Sequence, residues 1–238
     1  MDARIRGEVS KVQKDTTDRE YLILEDIHKS LGYKPCRLVD VGCGPRGLTG
    51  RGGRLAALRA NSLGVDIDRE ALASNANVTY RVCANCCSLP LKSNSVDIVV
   101  CRWMLEHIET PAQVMREFAR VLKKGGFLYI KTPNLWNYAM ALSWVSPMAF
   151  HNFCRSARGM GDNTRTFYRA NTKRTLRALA RDSGFAVRRL ESHSYSFMYY
   201  TFNKELFLVM RGLSRSVGRV TDRLQQTLLC VLEKVQDG

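Results

Sequence analysis

The residues best placed to do chemistry lie between Leu38 and Asp68. Leu38–Gly47 reads LVDVGCGPRG, and Leu63–Asp68 reads LGVDID. A short apolar run ends on an acid, Asp40, and a glycine-rich turn follows at once. About one βα unit later a second apolar run ends on Asp66. Glycines let a backbone approach a ligand closely, and an acid at the tip of the next strand can hold ribose hydroxyls. The pattern therefore predicts a site for a nucleotide-type cofactor.

The elements that would position these residues follow from periodicity. Arg19–Leu31 has Tyr21, Leu24, Ile27 and Leu31 at helical spacing, with Gly32 after the end. Strands are expected over Cys36–Val41, Leu63–Val65, Val78–Val82 and Val96–Cys101, with a glycine-weakened helix over Leu48–Ala60. Thr110-Pro111 opens a helix, Thr110 as N-cap and Pro111 in the first turn, with Val114, Phe118, Val121 and Leu122 inward. Gly125-Gly126 is expected to end it, before a strand over Phe127–Ile130. The alternation predicts an α/β fold: a Rossmann-like, doubly wound, mostly parallel seven-stranded sheet with helices on both faces. In such sheets ligands sit beyond the carboxyl ends of the strands.

After Asn134 the alternation breaks. Thr132–Cys154 holds no charged residue but several aromatics. A helix is expected over Thr172–Ser183 with Gly184 as its stop, then strands over Phe185–Leu190 and Ser194–Thr201. Lys204–Gly212 and Val220–Val235 read as amphipathic tail helices. The expected organisation is an N-terminal segment and helix over 1–34, and a main domain over 35–201 with a lid insertion at about 135–171. C-terminal amphipathic helices would follow over 202–238.

The chain has 238 residues and a net charge of +15. Residues 151–190 alone carry ten Lys and Arg against two Asp. That concentration suggests an acidic partner such as phosphate, anionic lipid or nucleic acid, or simply a solvated arginine-rich helix. Eight cysteines lack zinc-ligand spacing, so no metal is expected, and reduced thiols fit a cytoplasmic protein. The polar N-terminus does not read as a signal peptide, and no stretch reaches the ~18 apolar residues of a membrane span.

LVDVGCGPRG, GVDID, NCCSLPLKSNSVDIVV (Asn85–Val100), CRWMLEHI (Cys101–Ile108) and LKKGGFLYIKTPN (Leu122–Asn134) occur in this order at suitable spacing. Together they resemble the class I S-adenosylmethionine-dependent methyltransferases, specifically the broad type 11 group, over residues 36–134. The resemblance implies S-adenosyl-L-methionine as cofactor. Asp40, Gly42, Cys43, Gly44 and Arg46 would form the loop around its methionine half. Asp66 would accept from both ribose hydroxyls, Ile67 would pack on the adenine, and the Cys86 N–H would meet the ring. Asn85 stands where the family usually has an aspartate that accepts from the adenine amino group; its side-chain oxygen can still accept. Arg102 begins the segment that closes over the cofactor. Arg46 stands where the family commonly has a third glycine, with Gly47 one place later. Either Arg46 is strained or the loop is rearranged; the second is expected.

A sulfonium methyl is already activated, so the protein's task is alignment, plus a base where the acceptor needs one. By motif position that base is His107, which could equally be a core histidine bonded to a carbonyl. The acceptor is expected under 135–171, near Trp136, His151, Arg155, Tyr168 and Arg169. An apolar body with an anionic group would suit that stretch: a small or lipid-linked acceptor, such as a lipid-linked sugar phosphate or a polyprenylated quinone precursor. Peripheral membrane contact is compatible with this. The competing readings are an RNA methyltransferase, against which CRWM stands where a base-methylating motif would be, and a non-catalytic membrane-surface protein of the same fold.

Overall fold

The computed structural model describes residues 20–47, 60–137, 165–193 and 223–236, with a few isolated positions besides. Residues 20–30 are helical (α1). Then follow β1 (Leu38–Val41), β2 (Ser62–Asp66), α2 (Arg69–Ala73), β3 (Tyr80–Cys83) and β4 (Val96–Arg102). A 3-10 turn at Leu105–His107 leads to α3 (Pro111–Val121), β5 (Leu122–Pro133), α4 (Lys173–Asp182), β6 (Phe185–His193) and β7 (Thr227–Lys234). The seven strands form one sheet in the order β3-β2-β1-β4-β5-β7-β6. The first five are parallel, and β7 runs antiparallel to both β5 and β6.

The central strands are apolar throughout because both faces are covered. Side chains still alternate, and the alternation separates two cores. Val39, Val41, Val99, Cys101, Leu128 and Ile130 pack with Val114, Met115 and Phe118 of α3 and Leu176 and Ala180 of α4. Leu38, Ile98, Val100, Phe127 and Tyr129 pack on the other face with Tyr21, Ile23, Leu24 and Ile27 of α1. The same period carries Asp40, Arg102 and Lys131 onto the α1 face, and Thr132 onto the α3–α4 face.

Two expectations about the elements need correction. The tail helix expected over Val220–Val235 is in fact largely β7, an inner strand buried on both faces. The continuous apolar run TLLCVL carries no period-2 alternation, and a short run of that kind does not separate strand from helix. The sheet therefore extends well past residue 201. The Gly125-Gly126 pair does not end α3, which stops at Val121 because Leu122 is already extended and paired with Val96. The glycines lie in a register break of β5, where Ile98 is next paired with Phe127. Gly125 has φ +76, and a Cβ on Gly126 would come within 2.9 Å of the Lys123 carbonyl oxygen. Thr110 occupies the N-cap of α3 with Pro111 behind it, but its side chain makes no capping bond to the helix backbone.

At α4 Gly184 follows the end as expected, with φ +77, and Thr172 adds a cap that the sequence reading did not name: its Oγ1 accepts from the Thr175 N–H at 3.0 Å. Asp97, at the amino end of β4, accepts from the Arg37 N–H and pairs with Lys123, far from the strand tips. Most of the expected helix over Leu48–Ala60, the strand over Ser194–Thr201 and most of Lys204–Gly212 lie outside the described residues. Among the described residues no helix is long and apolar enough to cross a membrane.

Candidate cofactor and acceptor site

The site is built at the carboxyl ends of β1, β2, β3, β4 and β5. Beyond β1 the loop from Asp40 to Gly47 is held mainly by its own backbone and by two asparagines. The Gly42 N–H donates to the Val65 carbonyl at 2.8 Å, and the Gly47 N–H to the Cys43 carbonyl at 2.8 Å. Asn75 Nδ2 donates to the Gly44 carbonyl and Asn77 Nδ2 to the Arg46 carbonyl, each at 2.7 Å. Gly42, Gly44 and Gly47 all take positive φ, at +70, +52 and +51. Arg46 does not. The conformation that favours glycine has moved one place along with the glycine, so Arg46 is not strained at φ and the loop is rearranged around it. Its side chain is exposed.

Asp66 sits at the tip of β2 facing this loop. Its Oδ2 accepts from the Gly44 N–H at 2.7 Å and its Oδ1 from the Asp68 N–H at 3.0 Å. Capping α2 falls to Asp68, which accepts from the N–H groups of Glu70 and Ala71, each at 3.0 Å. A carboxylate has about four lone-pair positions, so Asp66 retains capacity for two further donors. Beside it, a Cβ on Gly44 would meet nothing within 4 Å, and Ile67 is 72% exposed. Asn85 Oδ1 accepts from the Cys87 N–H at 2.9 Å, which turns the chain beyond β3. Burial pushes the Cys43 and Cys86 thiols up to about 12, so both stay protonated.

This donor set fits S-adenosylmethionine. It offers a backbone loop with open space beside Gly44, a carboxylate with spare lone pairs, an exposed aliphatic side chain and an amide oxygen.

Arg102 does not project over the site. Its guanidinium lies under the loop, 3.4 Å from Asp40 Oδ2 and 3.4 Å from Glu20 Oε2 of α1, and donates to the Gly47 carbonyl. Glu20 also pairs with Lys131, whose ammonium stands 5.2 Å from the Trp103 ring centre. Trp103 has φ +54, a left-handed conformation costing about 1–3 kcal/mol in a bulky residue.

On the other face, His107 Nδ1 lies 3.0 Å from the Arg165 carbonyl oxygen. Glu106 is buried and accepts from Thr132 Oγ1 at 3.2 Å. Asn171 Nδ2 donates to Thr132 Oγ1 at 2.7 Å, and the N–H groups of Phe167 and Tyr168 donate to the Glu106 carbonyl. This network ties the segment from Arg165 to Asn171 onto the tips of β4 and β5. Burial raises the Glu106 carboxyl above its ordinary 4.5. A raised folded value stabilises the protein below the unfolded value and loses that contribution as pH rises through the folded one. Glu106→Gln is therefore expected to melt higher than the wild type at pH 7–8, with the gap closing towards pH 4; a thermal-melt series across pH checks this.

Of the other acceptor-side expectations, Trp136 is exposed at the end of β5 and Tyr168 has φ +52. Arg169 turns outward, paired with Glu109 at 3.6 Å and stacked with Arg165 on Phe167. His151 and Arg155 lie outside the described residues. Sequence reasoning passed over Glu20, Asn75, Asn77, Lys131 and Asn171, and gave no role to Glu106 or Thr132, although both lie in the segments it placed at the strand ends. For Arg102 and Lys131 a signal existed: each continues the i, i+2 row of its strand onto the face of Asp40.

A groove of about 400 Å³ between α1, β5, β6 and β7, lined by Ile23, Phe127, Arg188 and Glu233 among others, holds none of these residues.

Residues 39–130 match a family model described as a methyltransferase domain. The chain is 30% identical over 149 residues to a ubiquinone biosynthesis O-methyltransferase of Burkholderia thailandensis, covering 56% of this chain and 62% of the relative. It is 35% identical over 127 residues to one of Xanthomonas oryzae pv. oryzae, covering 51% and 53%. The matches thus span less than two thirds of these relatives' lengths. Among solved structures, geranyl diphosphate C-methyltransferase from Streptomyces coelicolor A3(2) superposes with a TM-score of 0.59 at 14% identity, covering 97% of this chain and 82% of that one. The [4+2]-cyclase SpnF gives 0.54 at 19% identity, covering 89% and 80%. At these identities the likeness is one of fold, and SpnF's description as a cyclase is a reminder that fold alone does not set the reaction.

Proposed function

We propose that this chain, whose residues 39–130 match a methyltransferase-domain family model, transfers a methyl group from S-adenosyl-L-methionine to an oxygen of a small or lipid-linked acceptor. The observation that carries the reading is Asp66, facing the open glycine loop with lone pairs to spare. S-adenosylmethionine supplies, when bound, a methyl group made electrophilic by its sulfonium. The chain's own residues hold and align. Asp66 would take the ribose hydroxyls, the loop from Asp40 to Gly47 the methionine half, and Ile67, Asn85 and the Cys86 N–H the adenine. Alignment of this kind can lower a barrier by roughly 7–11 kcal/mol.

The proton of an oxygen acceptor needs somewhere to go, and His107 is the proposed base. A carbonyl only accepts, so the Nδ1 facing Arg165 carries the hydrogen and Nε2 keeps the lone pair. The names of the relatives, O-methyltransferases of ubiquinone biosynthesis, favour a hydroxyl acceptor such as a polyprenylated quinone precursor. The uncharged aromatic run and the basic stretch after it suit an apolar body with an anionic group.

The test is transfer of labelled methyl from S-adenosylmethionine to a polyprenylated hydroquinone-type acceptor. His107→Asn is expected to lower kcat about 100-fold, with little change in acceptor KM. No transfer to any hydroxylated acceptor, with the cofactor bound, would overturn the acceptor reading.

A further inference from the structure

Four charged side chains meet on the α1 face of the sheet, where apolar contacts would be expected. Glu20, Arg102, Asp40 and Lys131 keep 11%, 16%, 1% and 7% of their side-chain surface exposed. Two are acids and two are bases, so the cluster is neutral as a whole. Buried ion pairs of this kind give little net stability, because desolvation consumes the Coulombic gain. What they do give is orientation, and the orientation here concerns one guanidinium. Arg102 pairs with Asp40 at the start of the glycine loop and donates to the Gly47 carbonyl at its end. One planar group thus spans both ends of the loop. Its other amino group faces Glu20, which is not on the sheet at all but on α1.

We infer that Glu20 is a positioning residue for the glycine loop, acting through Arg102 from the helix that precedes the sheet. The inference rests on the cofactor reading above. Three acceptors fix the guanidinium plane: Glu20 Oε2, Asp40 Oδ2 and the Gly47 carbonyl. The planar fork of arginine suits such a task in a way that a lysine ammonium does not. With Glu20 neutral, Arg102 loses its anchor on the helix side, and Lys131 loses a carboxylate partner. The loop ends are then free to part. The ribose and adenine side of the site, Asp66, Ile67 and Asn85, makes no hydrogen bond to Arg102 among the described residues; Asp66 meets the loop at the Gly44 N–H, in its middle and away from the ends that Arg102 holds, and keeps its place. Docking of α1 and the shape of the methionine-binding loop are in this way one event.

The experiment compares S-adenosylhomocysteine with 5′-methylthioadenosine, which lacks the amino-acid half. Calorimetric titrations are run on the wild type, Glu20→Gln and the double variant Glu20→Gln/Lys131→Met. The double variant keeps the buried charge count balanced and covers the case in which the single one does not fold. In whichever variants fold, S-adenosylhomocysteine affinity is expected to fall about tenfold or more, with methylthioadenosine affinity unchanged. Wild-type affinity for S-adenosylhomocysteine in a folded variant would overturn the inference, as would an equal loss for both ligands, which is what a general loosening would produce. Absence of binding by the wild type itself would remove the cofactor reading and this inference with it. Binding lost in Asp66→Ala but intact in Glu20→Gln would remove this inference alone.

Discussion

Asp66→Ala is expected to weaken S-adenosylhomocysteine binding by about 100-fold or more, with the fold intact. The magnitude follows from two hydrogen bonds between ribose hydroxyls and a charged carboxylate, each contributing about 1.5–3 kcal/mol, at 1.4 kcal/mol per factor of ten. The fold is expected to survive because α2 is capped by Asp68, not Asp66. What the variant does lose in the free protein is the anchor of the Gly44 N–H. That group lies beside open space, where water can take the carboxylate's place. Calorimetry checks the affinity and a thermal melt checks the fold. Asp66→Asn discriminates further: it keeps an acceptor but not the charge, and its affinity is expected to fall between the two.

Arg102→Met is expected to cost about 3–5 kcal/mol of stability, the usual consequence of removing one partner from a buried ion pair. Asp40 is 1% exposed and would lose the guanidinium at 3.4 Å from its Oδ2. Chemical denaturation of the two proteins measures the difference. Adding Asp40→Asn to Arg102→Met is expected to recover part of the loss, because a buried carboxylate that has lost its guanidinium is then replaced by a neutral amide. A single variant as stable as the wild type would mean that the cluster is not dry.

How much of this was legible in the residues can be argued position by position. Asp40 and Asp66 stood out because each is an acid closing an apolar run; β2 ends on Asp66, and β1 ends one residue past Asp40, at Val41. Gly47 after Arg46 foretold a displaced turn, and the positive φ is found at Gly47. The buried charges were harder to see. Arg102 reads as the polar end of VDIVVCR and Lys131 as that of FLYIK, and strand-end charges ordinarily reach solvent. Only the two-residue period, followed from Val100 to Arg102 and from Tyr129 to Lys131, places them on the face of Asp40. Glu20 needed the docking of α1, which no local pattern reveals. The burial of Glu106 was hidden in the same way, since Thr132, which donates to its carboxylate, comes from β5, and the Phe167 and Tyr168 N–H groups on its carbonyl come from the segment before α4. The strand Thr227–Lys234 was misread because burial on both faces erases the alternation that identifies a strand.

The departures at Arg46 and Asn85 bear on whether the cofactor site works at all. Arg46 carries no strain at φ, and Asn85 keeps its oxygen as an acceptor while using it to hold the Cys87 N–H. Neither closes the space beside Gly44. The measurement that tests this most directly is calorimetric titration of the purified protein with S-adenosylmethionine and S-adenosylhomocysteine. One-to-one binding in the micromolar range is the predicted result. No heat of binding for either ligand at millimolar concentration would contradict the account, and this fold would then be serving something other than methyl transfer.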